Sequence, residues 1–156
     1  MDVLAVAGLM TLGAWVRIPL PFTPVPVTLQ TFCVLLAAFM VGRNRAMTGA
    51  LVYLALGLAG APVLAVGATF GVTFGYLVGF AAVPWAVARF RNSAAGIVAA
   101  TFVIYAFGAA WLSLYMNLSM SAAVMLGVAP FLPGDALKAA AVYAIVHRIP
   151  HRVPTS

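Results

Sequence analysis

The chain has 156 residues, 65% of them hydrophobic and 6% charged, with a formal net charge of +6. Soluble domains carry about 25% charged residues, so this composition cannot cover a water-facing surface, and the mean hydropathy of +1.14 reads as a multi-span membrane protein. The apolar runs are continuous rather than alternating, which excludes a β-barrel. The predicted fold is all-α: one transmembrane domain over 1–156, with about six spanning helices of roughly 20 residues each and no room for a soluble domain.

The first apolar run is Asp2–Arg17. It lacks a basic stretch and a small-residue cleavage site, so it reads as a retained span rather than a signal peptide. Next comes IPLPFTPVPVT at 18–28, where Pro19, Pro21, Pro24 and Pro26 forbid helix and favour an extended segment. The second run, Leu29–Val41, closes at GRNR (42–45), and the third covers Ala46–Val66. A glycine-spaced stretch, GATFGVTFGYLVG at 67–79, leads into a fourth run ending near Ala88, and RFRN follows. The fifth run is Ala94–Met116. A more polar stretch at 117–134 is expected as an outer loop, before a last helix from about Asp135 to His147.

Arg43, Arg45, Arg89, Arg91, Arg148 and Arg152 all fall on one side of a six-span arrangement, and only Arg17 falls on the other. The positive-inside bias then puts both termini in the cytoplasm and the connections near 17–28, 67–73 and 117–134 outside. Scattered arginine pairs form no basic face, so no nucleic acid is expected as a partner. The partner of such a surface is the lipid bilayer. The outer connections are long, apolar and rich in Pro, Gly and Thr. Backbone of that kind at a membrane needs protein or ligand to satisfy it, which places a ligand pocket on the outer side.

Asp135 and Lys138 are the only acid and the only ammonium away from a terminus or an inner loop, and they stand three apart in PGDALK. That spacing puts them on one helix face. Pro133 and Gly134 suggest a helix start, with the carboxylate capping free N–H groups. Ionisable residues at membrane depth cost at least about 2.5–3.5 kcal/mol each, so the pair is a binding-site candidate; the competing reading is an ion pair that touches no ligand. Gln30 and Thr28 open the second run, where an amide needs hydrogen-bond partners and serves either helix packing or ligand contact. Gly67, Gly71, Gly75 and Gly79 recur every four residues, a pattern for close helix packing, with Gly67 and Gly71 possible loop-shaping positions. Tyr76 beside them is either an interfacial residue or a pocket wall. Arg17, the only outer arginine, could attract an anionic substrate, but helix-end snorkelling is the commoner explanation. His147 and His151 lack a carboxylate or thiolate partner, so no metal site is expected. Cys33 is the only cysteine. No nucleophile–base set and no phosphate loop occurs, so neither an enzyme nor a cofactor is expected.

IPLPFTPVPVTLQTF at 18–32 resembles the first outer loop and second helix of BioY proteins, the biotin-binding S components of energy-coupling factor transporters. YLALGLAGAPV at 53–63, GVTFGYLVGF at 71–80 and PFLPGDALK at 130–138 resemble that family's third, fourth and sixth helices, in order along nearly the whole chain. The family's usual GPTGGY is replaced here by GVTFGY, with Val72 and Phe74 substituted, and the stretch between Val66 and Gly71 is shorter. The small residues Ala5, Ala7 and Gly8 of the first helix do not keep the AxxxA-like spacing of S components.

The resemblance implies six spanning helices with the vitamin held near the outer surface. It also implies a separate transmembrane T component and two ATP-binding-cassette ATPases as partners, and whole-body reorientation of this subunit in the cell membrane. The expected function is biotin uptake. Asp135 would accept from the ureido N–H groups. Lys138 would balance Asp135 or meet a ligand oxygen, Gln30 and Thr28 would complete the polar contacts, and Tyr76 would stack on the fused rings. The alternatives are an S component for another vitamin and a structural membrane protein without a ligand.

Overall fold

Side-chain caps and special backbone positions, rather than changes in hydropathy, mark where the elements begin and end. In this computed structural model, which describes residues 2–64 and 71–148, Asp2 Oδ1 accepts from Ala5 N at 2.8 Å and opens α1, Val3–Trp15. The cap satisfies an N–H that the first turn leaves without a partner. The proline segment then forms a strap. Strand β1 (Arg17–Ile18) pairs antiparallel with β2 (Val27–Thr28), Arg17 opposite Thr28, and the prolines lie in the turn between. Leu29 N donates to the carbonyls of Gly13 and Val16, which ties the returning chain to the end of α1.

Helix α2 (Gln30–Val41) stops at Gly42, whose φ of 80° belongs to glycine's range, and α3 (Arg43–Leu58) starts on the next residue. Helix α4 is Phe74–Ala88. Asn92 accepts from Ala94 N and Ala95 N to open α5, Ser93–Met116, and Asn117 in the left-handed conformation closes it. Ser119 caps α6 (Met120–Gly127); a 3-10 turn (Ala129–Phe131) follows and runs straight into α7, Leu132–Arg148.

Counting α6, the 3-10 turn and α7 as one interrupted segment, the described residues form six helical segments, as expected. The 117–134 stretch is mostly helical rather than an outer loop. Pro130 and Pro133 sit in first turns, where a missing N–H costs nothing, so they admit helix instead of breaking it. Span length also differs from the expectation. Among the described residues, only α5 and the interrupted segment Met120–Arg148 are long and apolar enough to cross a bilayer. Helices α1 to α4 have 12–16 residues, or about 18–24 Å at 1.5 Å per residue. The strap and Gly42 take residues that longer helices would use. Gly67, the segment 65–70 and the tail 149–156, with Arg152 and His151, lie outside the described residues.

The helices are apolar on all sides, so burial follows packing rather than an amphipathic stripe. Tyr53, Met10, Leu35, Ile104 and Leu112 are fully enclosed, while Phe102, Leu114 and Leu137 are 73–75% exposed on the outer faces. Helix α2 is central and packs on α1, α3, α4 and α7. The most extensive contact is α4 on α5, and it explains two of the spaced glycines. A Cβ at Gly75 would overlap Trp111, and one at Gly79 would lie 3.1 Å from the Ile104 Cα. Close helix approach is what these positions provide.

Candidate functional site

Lys138 and Asp135 lie one turn apart on α7, and their Nζ and Oδ1 atoms are 2.6 Å apart. Asp135 is 8% exposed and the Lys138 side chain 14%. Breaking so enclosed a pair costs about 3–5 kcal/mol, because the remaining charge stays buried. The rest of the pair's surroundings come from distant parts of the chain. Tyr105, on α5, donates its hydroxyl to Asp135 Oδ2 at 2.7 Å. Lys138 Nζ also donates to the Thr28 carbonyl, at the end of β2, at 2.7 Å.

From Thr28 the polar chain continues inward. Thr28 Oγ1 donates to Gln30 Oε1 at 3.2 Å, and Gln30 Nε2 donates to the Tyr53 hydroxyl of α3 at 2.7 Å. Gln30, 4% exposed, therefore has both ends of its amide bonded within the protein, as a buried amide requires. One network thus runs from Tyr105 through Asp135, Lys138, Thr28 and Gln30 to Tyr53.

A cavity of about 50 Å³ opens beside this network, and Asp135, Lys138, Gln30, Thr28 and Tyr76 all line it. All five expected site residues thus meet at one place, although they come from β2, α2, α4 and α7. Tyr76 contributes its ring, because its hydroxyl donates to the Gly127 carbonyl at 2.7 Å. Two glycines seat this side chain: a Cβ at Gly108 would run into the ring, and one at Gly127 into the hydroxyl. Val25 and Pro26 of the strap close part of the cavity. The strap is fixed over it where Thr23 Oγ1 donates to the Leu126 carbonyl at 2.7 Å and accepts from Val25 N at 3.2 Å. Apolar walls come from Leu77, Phe80, Ile104 and Phe131.

Three expectations are corrected or extended. Asp135 is not a helix cap. Helix α7 begins earlier, at Leu132, and both carboxylate oxygens bond to side chains instead. Arg17 is exposed in β1 and does not line the cavity. Tyr105 and Tyr53 hold the network together and were not expected. Their signal was a tyrosine well inside an apolar helix, away from the ends where interfacial tyrosines sit. Phe74, one of the substituted positions, packs edge-on against Trp111 with ring centroids 5.0 Å apart, and the Trp111 indole donates to the Gly71 carbonyl at 2.9 Å.

An enclosed carboxylate, an ammonium and hydroxyls beside apolar and aromatic walls form the usual lining of a small-molecule site, where a few placed polar groups fix orientation. Comparison with known proteins agrees with that chemistry. A protein named biotin transporter BioY from Thermotoga maritima is 33% identical over 154 residues, covering 91% of this chain and 89% of the relative. A probable biotin transporter BioY from Pyrococcus horikoshii is 33% identical over 153 residues, covering 91% and 90%. A crystal structure of the S-component for biotin from an ECF-type ABC transporter superposes with a TM-score of 0.81 at 26% identity, over 94% of this chain and 87% of that one. The model of the BioY family matches residues 1–155, and the chain belongs to that family of membrane proteins.

Proposed function

We propose that this chain captures biotin in the cavity beside Asp135 and Lys138 and serves as the S component of an energy-coupling factor transporter in the cell membrane. The observation that carries the reading is the Tyr105–Asp135–Lys138 arrangement, enclosed yet lining a cavity. A carboxylate oxygen has two lone pairs, and each Asp135 oxygen receives one bond from the protein, which leaves acceptor capacity for two ligand N–H groups. The ureido ring of biotin presents two N–H groups, one on either side of its carbonyl, and either can donate to Asp135. Lys138 spends one proton on Asp135 and one on Thr28, and its third is free for a ligand oxygen. The Tyr76 ring and the apolar walls suit the thioether ring.

Both termini are proposed to face the cytoplasm, with the strap outside, on the strength of the arginine distribution. Reporter fusions at each end test this orientation. Transport is proposed to need a transmembrane T component and two ATP-binding-cassette ATPases, which would reorient this subunit as a body.

The test is calorimetric titration of the purified protein in detergent with biotin, and with thiamine and riboflavin as controls. Nanomolar binding of biotin alone is the expected result. Binding of a different vitamin would reassign the substrate. A folded protein that binds none of them would leave Asp135 and Lys138 as a structural pair.

A further inference from the structure

Two hydroxyls that line the cavity have no hydrogen-bond partner among the described residues. Thr73 Oγ1 is buried and unpaired. It stands at the N-cap position of α4, where a threonine side chain ordinarily accepts from the first turn, yet it forms no cap bond. Thr31, on the first turn of α2, is 8% exposed, and its side chain makes no hydrogen bond either. Leaving a buried hydroxyl such as that of Thr73 unmet is unfavourable. Among the described residues the other fully buried side-chain polar atoms have partners, including both ends of the Gln30 amide. A buried, unpaired Thr73 hydroxyl at the N-cap of α4 and a Thr31 hydroxyl without a partner on α2 line one cavity, and the network leaves them unexplained.

Counting donors shows what they are suited to meet. Thr28 gives its proton to Gln30, Gln30 gives one to Tyr53, Tyr105 gives its proton to Asp135, and Tyr76 gives its proton to Gly127. Apart from the second amide proton of Gln30 and the third proton of Lys138, the side-chain donors left on the cavity lining are the two threonine hydroxyls. Ligand N–H groups already have Asp135. For ligand oxygens the two threonine hydroxyls add to the free protons of Lys138 and Gln30. We infer that Thr31 and Thr73 are ligand-binding residues that donate to an oxygen of the bound molecule, at a subsite separate from the Asp135 carboxylate. The inference rests on the proposed biotin reading, and biotin offers two such oxygens, the ureido carbonyl and the carboxylate.

The experiment compares wild type with Thr31→Val, Thr73→Val, Thr31→Ser and Thr73→Ser, each titrated with biotin and melted without it. Valine keeps the shape and removes the hydroxyl; serine keeps the hydroxyl. Each valine variant should bind biotin about 5- to 30-fold more weakly and each serine variant within about threefold of wild type. The unliganded valine variants should melt no lower than wild type, because no intramolecular bond is lost. Wild-type affinity in both valine variants would overturn the inference, as would a lowered melting temperature without ligand that serine restores, the mark of a structural role. Titration of the valine variants with 2-iminobiotin, which lacks the ureido carbonyl oxygen, supports the inference in either direction: a penalty that persists assigns the hydroxyls to the carboxylate, and one that vanishes assigns them to the carbonyl. If wild type binds no biotin while Thr73→Val melts normally, the biotin reading fails and the inference falls with it. If wild type binds and the valine variants bind equally well, only the inference fails.

Discussion

Tyr105 and Asp135 are joined by a 2.7 Å hydrogen bond between helices α5 and α7. The tyrosine holds one carboxylate oxygen while Lys138 holds the other, so the carboxylate is fixed in orientation from two sides. A group held this way meets a ligand without first losing rotamer freedom. Tyr105→Phe keeps the ring and removes the donor. We expect biotin affinity to fall about 10-fold, the value of one hydrogen bond to a charged group, while the protein stays folded. Calorimetry on the variant checks this; unchanged affinity would remove Tyr105 from the site.

Replacing the acid itself should be more severe. Asp135→Asn keeps the shape, removes the charge and leaves Lys138 buried without its counterion, so binding should weaken by at least about 100-fold. Lys138→Ala should have a comparable effect and should also lower the unliganded melting temperature, because the carboxylate is then the uncompensated charge. The double variant Asp135→Ala/Lys138→Ala should recover part of that stability without recovering binding. A double variant that binds biotin would show that the pair is structural alone.

The seat of Tyr76 gives a prediction independent of charge. Gly108→Ala puts a methyl where the Tyr76 ring lies, and overpacking of this kind costs about 1–3 kcal/mol. Both thermal stability and biotin affinity should drop, since the displaced ring moves into the cavity. Gly134→Ala is the control: nothing lies within 4 Å of the added carbon, and alanine is the better helix former by up to about 1 kcal/mol. Parallel melting curves in detergent distinguish the two; equal stability would mean that the Tyr76 ring has room to move aside.

The strap should govern exchange of ligand. Thr23 is 8% exposed and fastens the strap to α6 through the Leu126 carbonyl. Thr23→Val removes that bond and leaves the cavity-lining side chains in place. Dissociation of bound biotin should accelerate by about fivefold, the equivalent of one modest hydrogen bond, with a smaller change in association. Radioligand dissociation measures the rate, and an unaltered off-rate would show that the strap is not on the exit path.

What the sequence made legible follows from which features are local. Proline spacing at 19–26 excluded helix, although the segment folds as a turn between two short strands rather than as extended chain throughout, and the Asp135–Lys138 spacing showed one helix face; both depend on neighbours in the chain. The all-α class and the six segments followed from continuous apolar runs. The start of α7 was misread because proline and glycine have opposite meanings inside a helix and in its first turn. The shortness of α1 to α4 was hidden because hydropathy continues through the residues that end them. Tyr105 and Tyr53 were missed because their partners are 30 and 23 residues away, a relationship set by helix packing that no spacing rule reveals.

The placement of both charges on a single helix also affects how the chain enters the membrane. Lys138 reaches Asp135 within one turn of α7, whereas its bond to Thr28 spans 110 positions of sequence. The Asp135–Lys138 pair can therefore enter lipid with no net charge of its own, before its tertiary contacts exist, and avoid much of the penalty of inserting two separate ions. Moving the lysine to another helix could rebuild the same finished site, yet it would send two unpaired charges through the translocon. Such a rearranged protein should fail during biogenesis, upstream of any defect in binding.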